Sequence, residues 1–155
     1  MTELRVETRA EGEPPSFGGP TGDLVYFLSF AVAERYGATH ELSGVARILR
    51  ARSATPAHPE PVEGRVSADA LRPLLTFAED NPADTDDRRD MEQIWQPAGP
   101  VAAAAAWATG QIRASQRLLD LTAGFPDLLP RLDDLARIAT WSAEREAAIR
   151  LLFSL

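Results

Sequence analysis

Val101-Ala102-Ala103-Ala104-Ala105-Ala106-Trp107-Ala108-Thr109-Gly110-Gln111-Ile112 decides the fold class of this chain. Val101, Ala105, Ala108 and Ile112 recur on one helical track that Leu119 extends, with Ala104, Trp107, Ala114, Leu118 and Leu121 beside it. The spacing predicts one helix running to about Thr122, with Gly124 as its stop. Five consecutive alanines let a neighbouring helix approach closely, within the chain or between chains.

Working outward, Asp127 is a candidate N-cap for a further helix, with Pro130 tolerated in its first turn and Leu128, Leu132, Leu135 and Ala139 as its buried stripe. Thr140 or Ser142 can restart the chain as a final helix with Trp141, Ala148, Ile149 and Leu152 inward. The terminal apolar run reads equally as an edge strand pairing with Leu4 to Thr8, where Leu4, Val6 and Thr8 alternate with Glu3, Arg5, Glu7 and Arg9. Upstream of the alanine run, Asp84 or Thr85 caps a helix carrying Met91, Ile94 and Trp95, which Pro97, Gly99 and Pro100 stop. Ser67 and Asp69 open a short helix with Leu71, Leu74, Leu75 and Ala78 at helical spacing. Thr39 caps another, in which Leu42, Val45, Ala46 and Leu49 form a stripe facing away from Arg47 and Arg50. Leu24, Val25, Phe27, Leu28, Ala31 and Val32 cover most of a cylinder, as in a largely buried helix. The expected fold is mainly α, a bundle of about five or six helices with a short two-stranded pairing of the termini as an addition. Residues 1–22 are an N-terminal strand or flexible arm, and 23–155 a single helical domain with a Pro-rich flexible insertion at about 53–66.

Composition limits the chemistry. The chain has 155 residues, 16 basic against 23 acidic, a net charge of −7 and no cysteine. All 16 basic residues are arginine, which excludes Schiff-base and P-loop lysine chemistry, as the missing cysteine excludes thiolate metal sites and thiol nucleophiles. The acidic balance disfavours nucleic-acid binding, because neutralised phosphates supply most of that affinity. The apolar run Leu24 to Ala33 is about half the ~20 residues a bilayer-spanning helix needs. Met1-Thr2-Glu3-Leu4-Arg5 opens with alternating charge rather than the basic region of an export signal. Together these features predict a cytoplasmic protein without membrane association.

Asp86-Asp87-Arg88-Arg89-Asp90 matches the D-D-x-x-D pattern of helical isoprenyl diphosphate synthases, which the segment resembles over five residues. The resemblance implies magnesium held by Asp86, Asp87 and Asp90 and bridged to a diphosphate, a chemistry that oxygen ligands at i, i+3 and i, i+4 can support. That family uses a second aspartate-rich motif on a facing helix, and this sequence has none. The E-x-x-E and E-x-x-D pairs of helical nucleoside-triphosphate pyrophosphohydrolases are absent too, since Glu144 and Glu146 are two apart and Asp133 and Asp134 adjacent. Early-turn acids also favour the helix dipole without any ligand. His40 stands beside Glu41 without a second ligand, and His58 lies in the Pro-rich stretch. Gly18-Gly19-Pro20-Thr21-Gly22 is a turn lacking the strand and lysine of a phosphate loop. Arg47, Arg50 and Arg52 form a cationic helix end.

Trp95, Trp107, Trp141, Tyr26, Phe27, Phe30 and Phe77 suit a core better than a pocket. An exposed apolar patch containing Trp95 or Trp107 would mark a docking surface. An acid-lined cleft around Asp87 would mark an enzyme. The sequence therefore predicts a non-catalytic helical module for protein–protein interaction or self-association, with no cofactor. A magnesium-dependent phosphate- or diphosphate-acting protein is the alternative.

His58-Pro59-Glu60-Pro61-Val62-Glu63-Gly64-Arg65 resembles the peptide made when a dispersed bacterial genomic repeat is translated within a reading frame; an ordinary Pro-rich linker is the other reading. Both predict that deleting residues 56–64 costs under about 1 kcal/mol, since loop length enters stability only logarithmically. Urea unfolding of the deletion variant checks this, and a melting temperature lowered by many degrees contradicts it.

Overall fold

The computed structural model of the chain describes residues 2–33, 42–54 and 70–154. Strand β1 (Glu3–Thr8) leads through a loop to α1 (Gly22–Tyr26), which continues as a π-helical turn over Phe27–Val32. Then come α2 (Ser43–Ala54), a 3-10 turn (Arg72–Leu75), β2 (Phe77–Glu79), α3 (Thr85–Gln93), β3 (Gln96–Pro97), α4 (Ala98–Arg113), α5 (Gln116–Thr122), α6 (Leu128–Ala143) and β4 (Ala148–Ser154). The Pro-rich stretch, the expected Thr39 and Ser67 caps, His40 and His58 fall outside the described residues.

The architecture is mainly helical but is not a plain bundle, because among the described residues six helices are joined by a four-stranded sheet. The termini do pair: β1 runs antiparallel to β4 with Leu4 opposite Phe153 and Thr8 opposite Ile149. β4 is, however, the centre of the sheet rather than an edge. Its other side pairs in parallel with β2 and antiparallel with β3. The expected helix over Trp141 to Leu152 is overturned, as α6 runs unbroken through Trp141 and Ala147 leads into strand. Burial explains this: Ile149, Leu151 and Phe153 alternate toward the helices, while Leu152 packs with Ala78 and Met91 on the opposite face.

Two further expectations change. The helix predicted to reach Thr122 breaks at Ser115, whose Oγ accepts from the Leu118 N–H at 3.3 Å and caps α5 as a separate helix. Residues 71–79 are not a helix. Pro73 leaves room only for one 3-10 turn burying Leu71 and Leu74, and Ala78 then lies on β2. The alanine face is used within the chain: Ala104, Ala105 and Ala108 are buried in one core cluster with Leu128, Leu132, Leu135 and Ala139 of α6. Small side chains let α4 and α6 approach closely along their length.

Between β1 and α1, the loop lies along α6. Gly12, at φ +105°, passes Trp141; the Gly18 N–H donates to Asp134 Oδ2 at 2.9 Å; Thr21 Oγ1 accepts from the Leu4 N–H at 2.8 Å and so covers part of the outer edge of β1. Asp23 Oδ2 then accepts the Asp127 N–H at 3.0 Å, tying α1 to the start of α6. Burial pushes the Asp134 carboxyl up, but the Gly18 hydrogen bond, the Arg137 hydrogen bond and the charges of Arg131 and Arg137 outweigh it, so the group titrates below its ordinary value. A depressed folded pKa contributes stability that is complete above the unfolded value near 4 and is lost as pH falls through the folded one. Wild type should therefore lose more stability than Asp134→Asn between pH 5 and pH 2. Urea midpoints measured across that range test the sign.

Candidate functional site

The sequence-predicted candidates land in different places. Asp84 caps α3, its Oδ1 accepting from the Asp86 and Asp87 N–H groups at 2.9 and 3.1 Å. Asp86 is exposed and pairs with Arg89 at 3.5 Å, Asp90 is exposed and Asp87 half-buried. Among the described residues no group of three His, Asp or Glu side chains is placed to hold a metal. Arg47 is exposed, and Arg52 Nη1 donates to Gln111 Oε1 at 3.0 Å, joining α2 to α4. Phe27 is buried, Trp107 packs half-buried against the core, and Phe77 meets Phe153 edge to face at 5.4 Å. These aromatics hold the core together.

Trp95 behaves differently. α3 ends at Gln93, so the indole stands past the helix, beside the polar face of the sheet. That face is built by the β1 alternation, since Leu4 and Val6 turn to the helices while Arg5, Glu7 and Arg9 turn the other way. Arg150 of β4 joins them. Its Nε donates to Glu7 Oε1 at 2.7 Å, its Nη1 to the Met91 carbonyl at 2.8 Å and to Glu92 Oε1 at 3.5 Å, and its guanidinium lies 4.7 Å from the Trp95 ring centroid. Arg5 pairs with both Glu7 (3.2 Å) and Asp80 (3.0 Å). Arg9 sits 4.3 Å from the Trp95 ring, a cation–π contact. Among the described residues it has no carboxylate partner.

Beside Trp95 two open cavities adjoin, of about 610 and 650 Å³. Arg9, Glu146, Ala147 and Ala148 line both, so they form one groove. One arm runs past Trp95 to Pro100, and the other passes Glu11 and Arg145, whose guanidinium stacks on Trp141 at 3.9 Å. The first arm reaches the start of α4, where Pro97 offers no side-chain cap and the dipole adds to the positive charge of Arg9. Glu146 adds a negative charge to the lining. It has no ion-pair partner among the described residues.

Glu146 is also the one described non-glycine residue at positive φ, +53°. It occupies the left-handed position that ends α6, where the Ala147 N–H bonds back to the Ser142 carbonyl at 3.0 Å. Glycine is the usual residue there, and a Cβ in this conformation costs about 1 kcal/mol. The arrangement can hold an extended segment by two opposite charges and an apolar wall. It offers no nucleophile and base in contact.

Of this groove the sequence offers Trp95 as a docking residue, while Glu146 enters there only beside Glu144 as a carboxylate pair and Arg9 only in the β1 alternation; the groove role of these two was missed. The available signals were the Pro97-Ala98-Gly99-Pro100 break, which leaves Trp95 outside a helix, and the charge that closes the β1 alternation. Comparison of the chain with protein-family models, curated proteins and solved structures gave no match. Among the described residues no helix is long and apolar enough to cross a membrane.

Glu146→Gly should stabilise the fold by about 1 kcal/mol, because glycine adopts the left-handed position without the Cβ penalty. Urea unfolding measures it; destabilisation would show that the side chain supports the fold.

Proposed function

We propose that the chain is a non-catalytic module that binds a partner protein, and that the groove between Trp95 and Arg145 takes an extended segment of that partner. The supporting observation is Glu146: a residue that costs stability where glycine would not stands on the wall of the groove, with no ion-pair partner among the described residues. Arg9 supports the same reading as a stacked guanidinium without a carboxylate partner among the described residues. The partner segment would bring an acidic side chain to Arg9, a basic one to Glu146 and an apolar one to the wall made by Trp95, Pro97 and Pro100. We place the encounter in the cytoplasm on composition, since the chain has no cysteine and a net charge of −7. The magnesium alternative on Asp86, Asp87 and Asp90 has only their helical spacing in its support.

Capture from lysate of the source cell at moderate salt tests the proposal. Tagged wild type should retain one protein in near-equal amount. Arg9→Glu and Glu146→Gly should each lose it at least about ten-fold, the scale of one desolvated charge pair, while Arg88→Glu on exposed α3 retains it. Recovery of the chain alone, or equal retention by both groove variants, overturns the reading.

A further inference from the structure

At the opposite end of α6 from the groove, Arg131 is left with donors unmet. Its side chain is 11% exposed, and its Nε lies 3.1 Å from Asp134 Oδ2. Among the described residues neither Nε nor Nη1 has an aligned acceptor, and both atoms are shut off from solvent. Native buried donors are nearly always satisfied, so this pair requires a reason. The cause is geometric: Asp134 spends Oδ2 on the Gly18 N–H and Oδ1 on Arg137, whose Nη2 donates at 2.6 Å. Two guanidiniums thus share one carboxylate, leaving a positive charge in excess.

What covers Arg131 is Gly18-Gly19. A Cβ on Gly19 would overlap Nη1 and come within 3.2 Å of Cζ, so the main chain lies close against the guanidinium and a side chain there would push that end of Arg131 aside. Within the cover, the Gly18 N–H on Asp134 and Phe17 packed on the core are what hold it down. Gly18, Gly19 and Pro20 are exposed, Pro14 and Ser16 likewise, and from 13 to 20 the half-buried anchors are Pro15 and Phe17. At its ends Gly12 passes beside Trp141 and Thr21 Oγ1 accepts from the Leu4 N–H.

We propose that Arg131 is a covered oxyanion site and that residues 13–20 are the strap a phosphate-type oxyanion displaces. Such an anion presents two in-plane acceptors to the guanidinium fork, which the occupied Asp134 does not, and Arg137 supplies a second cation beside it. Closed, the strap hides the charge at the cost of unmet donors. Lifted, it exposes Arg131 and Arg137 on either side of the Asp134 carboxylate and frees the segment that leads from β1 to α1.

The test titrates the whole chain with inorganic phosphate, following affinity by calorimetry and the strap by amide hydrogen exchange. In wild type, phosphate should bind and speed exchange within 13–20; Arg131→Gln should abolish both. Gly19→Ala, whose Cβ would push the Nη1 end of Arg131 from under the cover, should bind phosphate about ten-fold more tightly, the equilibrium shift expected from relieving one buried donor. A parallel arm with O-phosphoserine separates free phosphate from phosphate carried on a chain by which binds more tightly. Binding that survives Arg131→Gln, or exchange in 13–20 that phosphate leaves unchanged, overturns the proposal. If Arg131→Gln does not fold, Gly19→Ala decides alone: affinity equal to or below wild type contradicts the strap.

Discussion

Arg150 lies in the middle of β4 with a side chain 13% exposed, and drawing a guanidinium that far from water costs several kcal/mol unless its donors are met. Glu7 meets two of them, one through Nε and one through Nη2, and the Met91 carbonyl takes another. Those partners come from the N-terminal strand and from α3, so satisfying one cation fixes three elements against one another. The same guanidinium lies on the Trp95 ring, which also receives Arg9. The polar face of the sheet is therefore ordered around a charge that its apolar face never sees.

The groove and the strap are both consequences of how α6 ends and begins. At its C-terminus the chain reverses through Glu146 in a left-handed turn, and β4 starts two residues later within the groove wall. Near its N-terminus, Arg131 and Asp134 receive the glycine pair that returns the chain from β1 toward α1. Both ends thus carry a local cost: a backbone conformation that suits glycine, and a buried cation with unmet donors. Such costs persist where surrounding packing holds them, and the close union of α4 with α6 provides that packing.

Much of the helical part was legible from the sequence because burial there has one period. Val101, Ala105, Ala108 and Ile112, and Leu128, Leu132, Leu135 and Ala139, are buried as spaced, and Asp84 caps α3 as its side-chain chemistry suggests. The alternation in β1 was legible for the same reason. The central position of β4 was not, since Leu151-Leu152 breaks a two-residue pattern: the strand is buried on both faces at that point. Its boundary was hidden as well. Glu146 performs the reversal that glycine would have announced, so no breaker marks the end of α6. The groove gathers Arg9, Trp95 and Glu146 from three distant parts of the chain, and only the sheet brings them together.

A double-mutant cycle between Glu7 and Arg150 tests most directly whether that buried cation organises the molecule. Glu7→Gln, Arg150→Met and the double variant would be unfolded in urea beside wild type, with Trp95 near-ultraviolet dichroism recorded in each. The account predicts a coupling of about 1–3 kcal/mol, the range for residues in one charge network, and loss of the Trp95 signal whenever Arg150 is replaced. Coupling below about 0.5 kcal/mol, the level at which independent sites add, with the Trp95 signal intact would contradict it.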